Sequence, residues 1–169
     1  MSKIIAKSLP VAALLAILCA PTAFAASANL GVSATVSDNC IISTSAVNFG
    51  AYDPIVANLS SPRNGTGTVT VTCTSGADAA ITLGQGANPD TGSLDGAPLR
   101  RMADGSNFLA YALYQDGGFS TVWGNDASTD FETTGTGTAQ NLTVHGQIAP
   151  NQNVPQGSYS DTVVATVTF

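Results

Sequence analysis

The sequence predicts an all-β protein built as a sandwich. Helical periodicity is absent after residue 25, several short runs alternate Thr or Ser with apolar residues, and clusters of Gly, Asn, Asp and Pro separate these runs. Alternation with a period of two places successive side chains on opposite faces of a strand. Short strands that recur at regular spacing between turn residues are typical of a β-sandwich.

The first 25 residues predict a cleavable secretory signal that is not part of the fold. Lys3 and Lys7 precede an apolar run that ends in small residues at Ala23 and Ala25. A basic start, an apolar stretch and an A-x-A site in this order are typical of such a signal, and we place the cleavage after Ala25. We therefore expect a chain that is exported through the periplasm and keeps no membrane span after cleavage.

The remainder, residues 26–169, is acidic and has the size of one ordinary domain. The whole chain has eleven acidic and five basic residues and a formal net charge of −6, and loss of the signal removes two of the five basic residues. Binding to nucleic acid needs clustered positive charge. The composition therefore excludes a nucleic-acid partner.

Two cysteines remain after the predicted signal, Cys40 and Cys73. We expect them to form a disulfide because exported chains reach an oxidising compartment. Closing a loop of about 33 residues stabilises a fold by roughly 4 kcal/mol in the loop-entropy account. A metal site would need more ligands than these two cysteines and the lone His145 supply.

The segment after the predicted cleavage site alternates strictly. Apolar side chains occupy every second position, at Leu30, Val32, Ala34 and Val36. We interpret residues 26–38 as a strand detached from a domain over residues 39–169. The residues alone leave two possibilities open, because the strand could fold onto its own domain or be donated to a neighbouring copy by strand addition.

The middle of the chain supplies the strands of the sandwich. Val69, Val71 and Cys73 fall on one face of TGTVTVTCTS, and AITLG continues the pattern. The run NFLAYALYQD carries apolar residues on both faces, which predicts a central strand. Shorter strands are predicted in GFSTVWG, STDFETT and AQNLTVHGQIA.

The last predicted strand, residues 159–169, places one set of side chains on a single face: Tyr159, Asp161, Val163, Ala165, Val167 and Phe169. No residue follows Phe169 to continue the sheet. We therefore expect either an exposed sheet edge or a vacancy beside this strand.

An ordered set of motifs covers nearly all of the chain after residue 25. It comprises FGAYDP nine positions after Cys40, GTVTVTCT around Cys73, an arginine before the central strand, YALYQD, VWG, VHGQIAPNQNVPQGSY and the ending YSDTVVATVTF. This set resembles the spore coat protein U domain family, whose members include spore coat components and pilins of archaic chaperone-usher systems. The resemblance implies an incomplete immunoglobulin-like sandwich that lacks its final strand, and a structural subunit rather than an enzyme.

The resemblance also implies a route of assembly. A periplasmic chaperone holds the subunit, an outer-membrane usher exports it, and the N-terminal segment of the next subunit fills the groove. Carried onto this sequence, the donor residues are Leu30, Val32, Ala34 and Val36. The edge strand of the acceptor groove carries Tyr159, Val163, Ala165, Val167 and Phe169. The expected product is a pilus or surface coat outside the cell, with a role in surface adhesion or biofilm formation.

The residues that could carry chemistry have simpler interpretations. His145 is the only histidine and is interpreted as a surface-facing strand residue. Asp90, Asp95 and Asp104 miss the spacing of a calcium loop. We expect no catalytic residue, no cofactor and no metal. The main alternative function is a self-complemented secreted module that binds a carbohydrate or a surface ligand, and an exported hydrolase is a third.

Overall fold

The computed structural model describes residue 21 and residues 23–169. Most of the predicted signal, residues 1–25, lies outside the described residues. The chain divides into two units, Met1–Thr35 and Val36–Phe169. The described residues of the first unit form neither strand nor helix, and Leu30 and Val32 are 89% and 88% exposed.

The second unit is built from strands, and this confirms the predicted all-β fold. Within the described part of the chain, no helix has the length and hydropathy to cross a membrane. The strands are β1 (Cys40–Asn48), β2 (Arg63–Cys73), β3 (Asp78–Leu83), β4 (Arg100–Asp104), β5 (Asn107–Tyr114), β6 (Phe131–Thr134), β7 (Gln140–Ile148) and β8 (Ala165–Thr168).

The strands form two antiparallel sheets. The larger sheet has the order β1-β2-β7-β5-β4, and the smaller has the order β6-β3-β8. Their inward side chains share one core, to which the larger sheet contributes Val69 and Val71 and the smaller Ile81 and Leu83. Two sheets that bury one face each against a common core are a β-sandwich, as predicted.

The alternation in the sequence decides which face each strand buries. In β2, Val69, Val71 and Cys73 are buried, whereas the threonines between them lie on the outer face. Trp123 fills the centre of the core with no exposed surface, and its indole Nε1 donates a hydrogen bond to the carbonyl oxygen of Ile81 at 2.8 Å. The buried indole N–H is therefore satisfied, and it fixes the ring against β3.

The predicted disulfide is confirmed. Cys40 and Cys73 are directly opposite each other in the β1–β2 ladder, and their sulfur atoms are bonded. The bond joins the first residue of β1 to the last residue of β2. It therefore ties β1, an edge strand of the larger sheet, to its neighbour β2.

Three elements differ from the sequence-based expectations. β5 lies beside the edge strand β4 and buries only one face, so Phe108 is exposed. The run GFSTVWG forms an isolated bridge, between Tyr114 and Val122, because the amides of Ser120 and Thr121 donate to the Asp116 carboxylate instead of to a neighbouring strand. The final strand is shorter than predicted: β8 begins at Ala165, because the chain before it crosses from one sheet to the other.

Candidate functional site

An open groove lies between the outer edges of β1 and β8. Among the described residues, β1 pairs only with β2, and β8 pairs only with β3. A cavity of about 370 Å³ opens between them onto the core. Its wall includes core residues of both sheets and residues of both free edges: Val47, Leu83, Tyr111, Leu113, Val144, Val163 and Ala165. A strand edge with free backbone groups, beside an opening lined by apolar side chains, is able to accept a further strand.

Two glycines allow β1 to form its side of the groove. The β1–β2 register shifts between Ser45 and Asn48, and there β1 closely approaches β2 and β7. A Cβ added at Gly67 would lie 2.8 Å from the carbonyl oxygen of Ser45, and one at Gly146 would lie 2.7 Å from Val47 Cγ1. No side chain fits in these spaces. The absence of side chains at these two positions therefore lets Val47 pack into the groove wall.

The opposite side of the groove is formed where the chain crosses between the sheets. Ser160 makes a two-way bridge with Ala103 of β4, with N···O distances of 2.8 and 3.1 Å. Four residues later, the carbonyl of Val164 accepts a hydrogen bond from Gly84 at 2.9 Å, next to the β3–β8 ladder. The segment before β8 is thus attached to the larger sheet at one end and to the smaller sheet at the other.

Asp161 holds this crossing segment in place. Its carboxylate accepts hydrogen bonds from the Ala87 amide at 2.9 Å, the Asn88 side chain at 3.3 Å and the Tyr111 hydroxyl at 2.7 Å. Burial raises the pKa of Tyr111 well above its usual value, and the bond to Asp161 raises it further. Tyr111 therefore stays a neutral hydroxyl donor in the groove wall.

Arg100 is the buried cation beside this cluster and is only 1% exposed. Its guanidinium donates to the carbonyl oxygens of Leu83 at 2.6 Å, Gly84 at 2.7 Å and Trp123 at 2.9 Å. Burial lowers its pKa to about 10, while Tyr111 and Asp161 act in the opposite direction. The side chain stays charged at neutral pH and ties β4 of the larger sheet to the end of β3 in the smaller one.

The sequence-predicted groove residues lie along this border. Four of them are half-buried and pack against the core: Tyr159, Val163, Ala165 and Val167. The residues on the opposite face of the same segment are exposed: Ser160, Thr162, Val164 and Thr166. Phe169 departs from the pattern and is 55% exposed. Sequence reasoning missed the anchoring role of Asp161, although a carboxylate on an otherwise apolar face was the available signal.

The predicted donor residues lie in the irregular segment before β1. Leu30, Val32 and Val36 are exposed, as is Ala34. Immediately after them the chain is fixed to the sandwich, because Asn39 donates a backbone hydrogen bond to Thr74 Oγ1 at 3.1 Å and accepts one from the Thr74 amide at 2.9 Å. The alternating apolar side chains thus end a few residues before the first ordered strand.

A second cavity of about 800 Å³ continues from the groove at the end of the sandwich opposite the disulfide. The two cavities share Ala46, Val47, Phe49, Met102 and Tyr159. One wall is the loop after β1, in which the Asp53 carboxylate accepts hydrogen bonds from the amides of Ile55 and Val56. These bonds lower the pKa of Asp53.

The residues weighed for catalysis or metal binding are not brought together. His145 is half-buried on β7, with its ring 6.3 Å from that of Phe119. Asp90 forms an ion pair with Arg101 at 3.0 Å, and Asp95 accepts hydrogen bonds from Gln85 and Asn125. Among the described residues, no group of three or more His, Cys, Asp or Glu side chains is arranged to hold a metal ion.

Comparison with known proteins gives relatives over nearly the whole sandwich. The Spore Coat Protein U domain matches residues 26–166. The chain is 44% identical over 152 residues to Protein U of Myxococcus xanthus, and the match covers 85% of each sequence. These matches confirm the family resemblance drawn from the motifs.

A solved structure shares the fold. It is the chaperone–tip adhesion subunit pre-assembly complex from the archaic chaperone-usher Csu pili of Acinetobacter baumannii, with a TM-score of 0.56 and 24% identity. The match covers 80% of this chain and 40% of that one. The chain thus spans less than half the length of this structural relative.

Proposed function

The chain belongs to the Spore Coat Protein U domain family, and on that premise we propose that it is an exported subunit of a chaperone-usher pilus or surface coat that polymerises by donor-strand complementation. Membership of this family confirms the prediction of a structural subunit rather than an enzyme. The observation that carries the proposal is the groove between the edges of β1 and β8, which have no partner strand in the part of the chain that the structure describes.

The groove has the properties that a donated strand would need. Within residues 23–169, its two border strands β1 and β8 each pair on one side only, and its floor is the apolar core. The segment that fits it chemically is residues 26–38, since Leu30, Val32 and Val36 would all leave water on insertion. Burying three such side chains is worth at most roughly 5 to 9 kcal/mol before the cost of ordering the segment.

The partners follow from this mechanism. Until a strand is inserted, the apolar lining of the groove stays open to water, so a periplasmic chaperone would have to cover the groove and an outer-membrane usher would exchange it for the next subunit. The relative with a similar fold was solved in complex with a chaperone, which supports this partner. Residues 1–25 would direct export and be removed. Adhesion to surfaces or biofilm formation would be the role of the assembled fibre.

The test compares a chain that lacks residues 26–36 with one that keeps them. We expect the shortened chain to be unstable alone and to gain thermal stability from a peptide of residues 26–38. A matched control peptide carries Leu30→Ser, Val32→Ser and Val36→Ser and should give no gain. A shortened chain that is stable alone and indifferent to both peptides would contradict strand donation. A soluble monomer that binds a glycan would instead favour the self-complemented binding module.

A further inference from the structure

Met102 lies where the two cavities meet. It occupies the middle of β4 opposite Leu109, and its half-buried side chain packs against the core and lines both the groove and the second cavity. The next residue, Ala103, forms the bridge to Ser160 that anchors the groove border. A chemical change at the Met102 thioether would therefore alter the groove wall itself.

We propose that Met102 is an oxidation-sensitive site, and that its conversion to the sulfoxide weakens the binding of a donor strand in the groove. This inference rests on the strand-accepting function proposed above. Residues 26–169 contain three sulfur atoms, and Cys40 and Cys73 use two of them in the disulfide. The thioether of Met102 is thus the sulfur in this part of the sequence that a peroxide oxidises most readily.

The reaction requires only the peroxide. The sulfur lone pair attacks one peroxide oxygen, the O–O bond breaks, an S–O bond forms, and the second oxygen leaves as water after proton transfer. The sulfur is oxidised by two electrons, and the peroxide is reduced. The flexible apolar side chain becomes a polar group that accepts hydrogen bonds.

The sulfoxide would be poorly accommodated under an inserted strand. The two tyrosine hydroxyls of the same cavity are already engaged, because Tyr111 donates to Asp161 and Tyr159 donates to the carbonyl of Pro155 at 2.8 Å. The apolar side chains of a donor segment offer no replacement. Removing the polar sulfoxide oxygen from water beneath an apolar strand should weaken strand binding by about tenfold or more.

Oxidation and strand insertion would oppose each other reciprocally. If the sulfoxide lowers the affinity for the strand, the bound strand disfavours the sulfoxide by the same factor, because the two equilibria are linked. A bound strand would also cover the side chain and slow its reaction with peroxide. Subunits would therefore be sensitive before assembly and protected after it.

The test uses the full chain from residue 26 with Leu30→Ser, Val32→Ser and Val36→Ser, which can accept a strand but not donate one. A fluorescent peptide of residues 26–38 reports the affinity before and after treatment with hydrogen peroxide, and mass spectrometry counts the oxygen added at Met102. The matched control adds Met102→Leu, which keeps the groove apolar and removes the sulfur. Methionine sulfoxide reductases then reverse the modification.

We expect affinity to fall about tenfold or more on oxidation, to recover with the reductases and to stay unchanged in the Met102→Leu control. Peptide bound in advance should slow the oxidation of Met102. The inference is overturned if the oxidised chain binds as tightly as the untreated one, or if Met102 reacts only after unfolding. Absence of peptide binding to the untreated chain would be a different result, because it would reject the proposed function and this inference with it.

Discussion

The hydroxyl of Tyr111 donates a 2.7 Å hydrogen bond to the carboxylate of Asp161, and this bond joins β5 of the larger sheet to the segment that crosses to the smaller one. Asp161 also accepts a bond from the Ala87 amide. The pair fixes one border of the groove on the body of the sandwich. The groove is therefore held open by a polar contact inside a largely apolar site.

Removing this contact should loosen the groove border. Tyr111→Phe leaves the Asp161 carboxylate without one of its three donors, and we expect the free energy of unfolding to fall by roughly 1–2 kcal/mol in urea titrations. Asp161→Ala should also accelerate amide hydrogen exchange at Ala87, which loses its acceptor. Tyr114→Phe, whose ring packs against Phe119 outside the core, is the matched control and should change neither measurement. Equal effects of Tyr111→Phe and Tyr114→Phe would contradict a specific role for the bond.

Gly67→Ala should displace β1 from its place beside the groove. The added methyl group would lie 2.8 Å from the Ser45 carbonyl oxygen and from Val47 Cγ2, so the strand must move. We expect the free energy of unfolding to fall by roughly 1–3 kcal/mol, as for other overpacked sites. Gly31→Ala is the control, because a methyl group there meets nothing within 4 Å. A stable Gly67→Ala protein with unshifted β1 resonances would show that β1 does not depend on this close approach.

Stability should fall in acid through carboxylates that accept backbone hydrogen bonds. The Thr121 amide and other donors around Asp116 hold the pKa of that carboxyl below its usual value of 3.8. The unfolded chain then binds a proton more readily than the folded one, so this stabilisation is present above pH 3.8 and is lost as the pH falls through the lowered folded pKa. Asp116→Asn should flatten the acid limb of a stability–pH curve. The same substitution at Asp38, in the irregular segment before β1, serves as the control, and an equal flattening there would refute the assignment.

The folded chain after residue 25 should resist trypsin. Its three possible cleavage residues are all engaged: Arg63 donates to the carbonyl of Phe49, Arg100 is buried, and Arg101 pairs with Asp90 while lying over the Phe108 ring at 4.1 Å. Cleavage should therefore follow unfolding, and gel analysis across a urea series should give a single transition. Gln156→Arg, in an exposed loop, should restore rapid cleavage and shows that the protease is active. Rapid cleavage of the unsubstituted chain without urea would contradict this account.

Local sequence patterns predicted much of the fold because strands with one buried face leave a period of two in the sequence. The alternation around Val69 and Val71 predicted β2, and the two cysteines predicted the disulfide. The same reasoning overextended the final strand, because the alternation from Tyr159 onward persists through a segment that has left one sheet and not yet joined the other. Side-chain alternation reports which face is buried, and it does not report which strand lies alongside.

The candidate site was predictable only in part. Tyr159, Val163 and Ala165, which line the cavity, were predicted as groove residues because an apolar stripe is visible in the sequence. The roles of Arg100 and Asp161 were not, because their partners are carbonyls and amides far along the chain. No local pattern marks a residue whose function is to join two sheets.

By itself, the sequence determined that the protein is an all-β sandwich with a disulfide between its first two strands, because burial on one face imposes a pattern that each strand carries within itself. Only the tertiary structure decided that the edges of β1 and β8 border one groove and that Met102 lies where this groove meets a second cavity. The physical reason is that a groove is defined by missing neighbours. Pairing between distant segments, unlike alternation within one, is fixed only when the whole chain has packed.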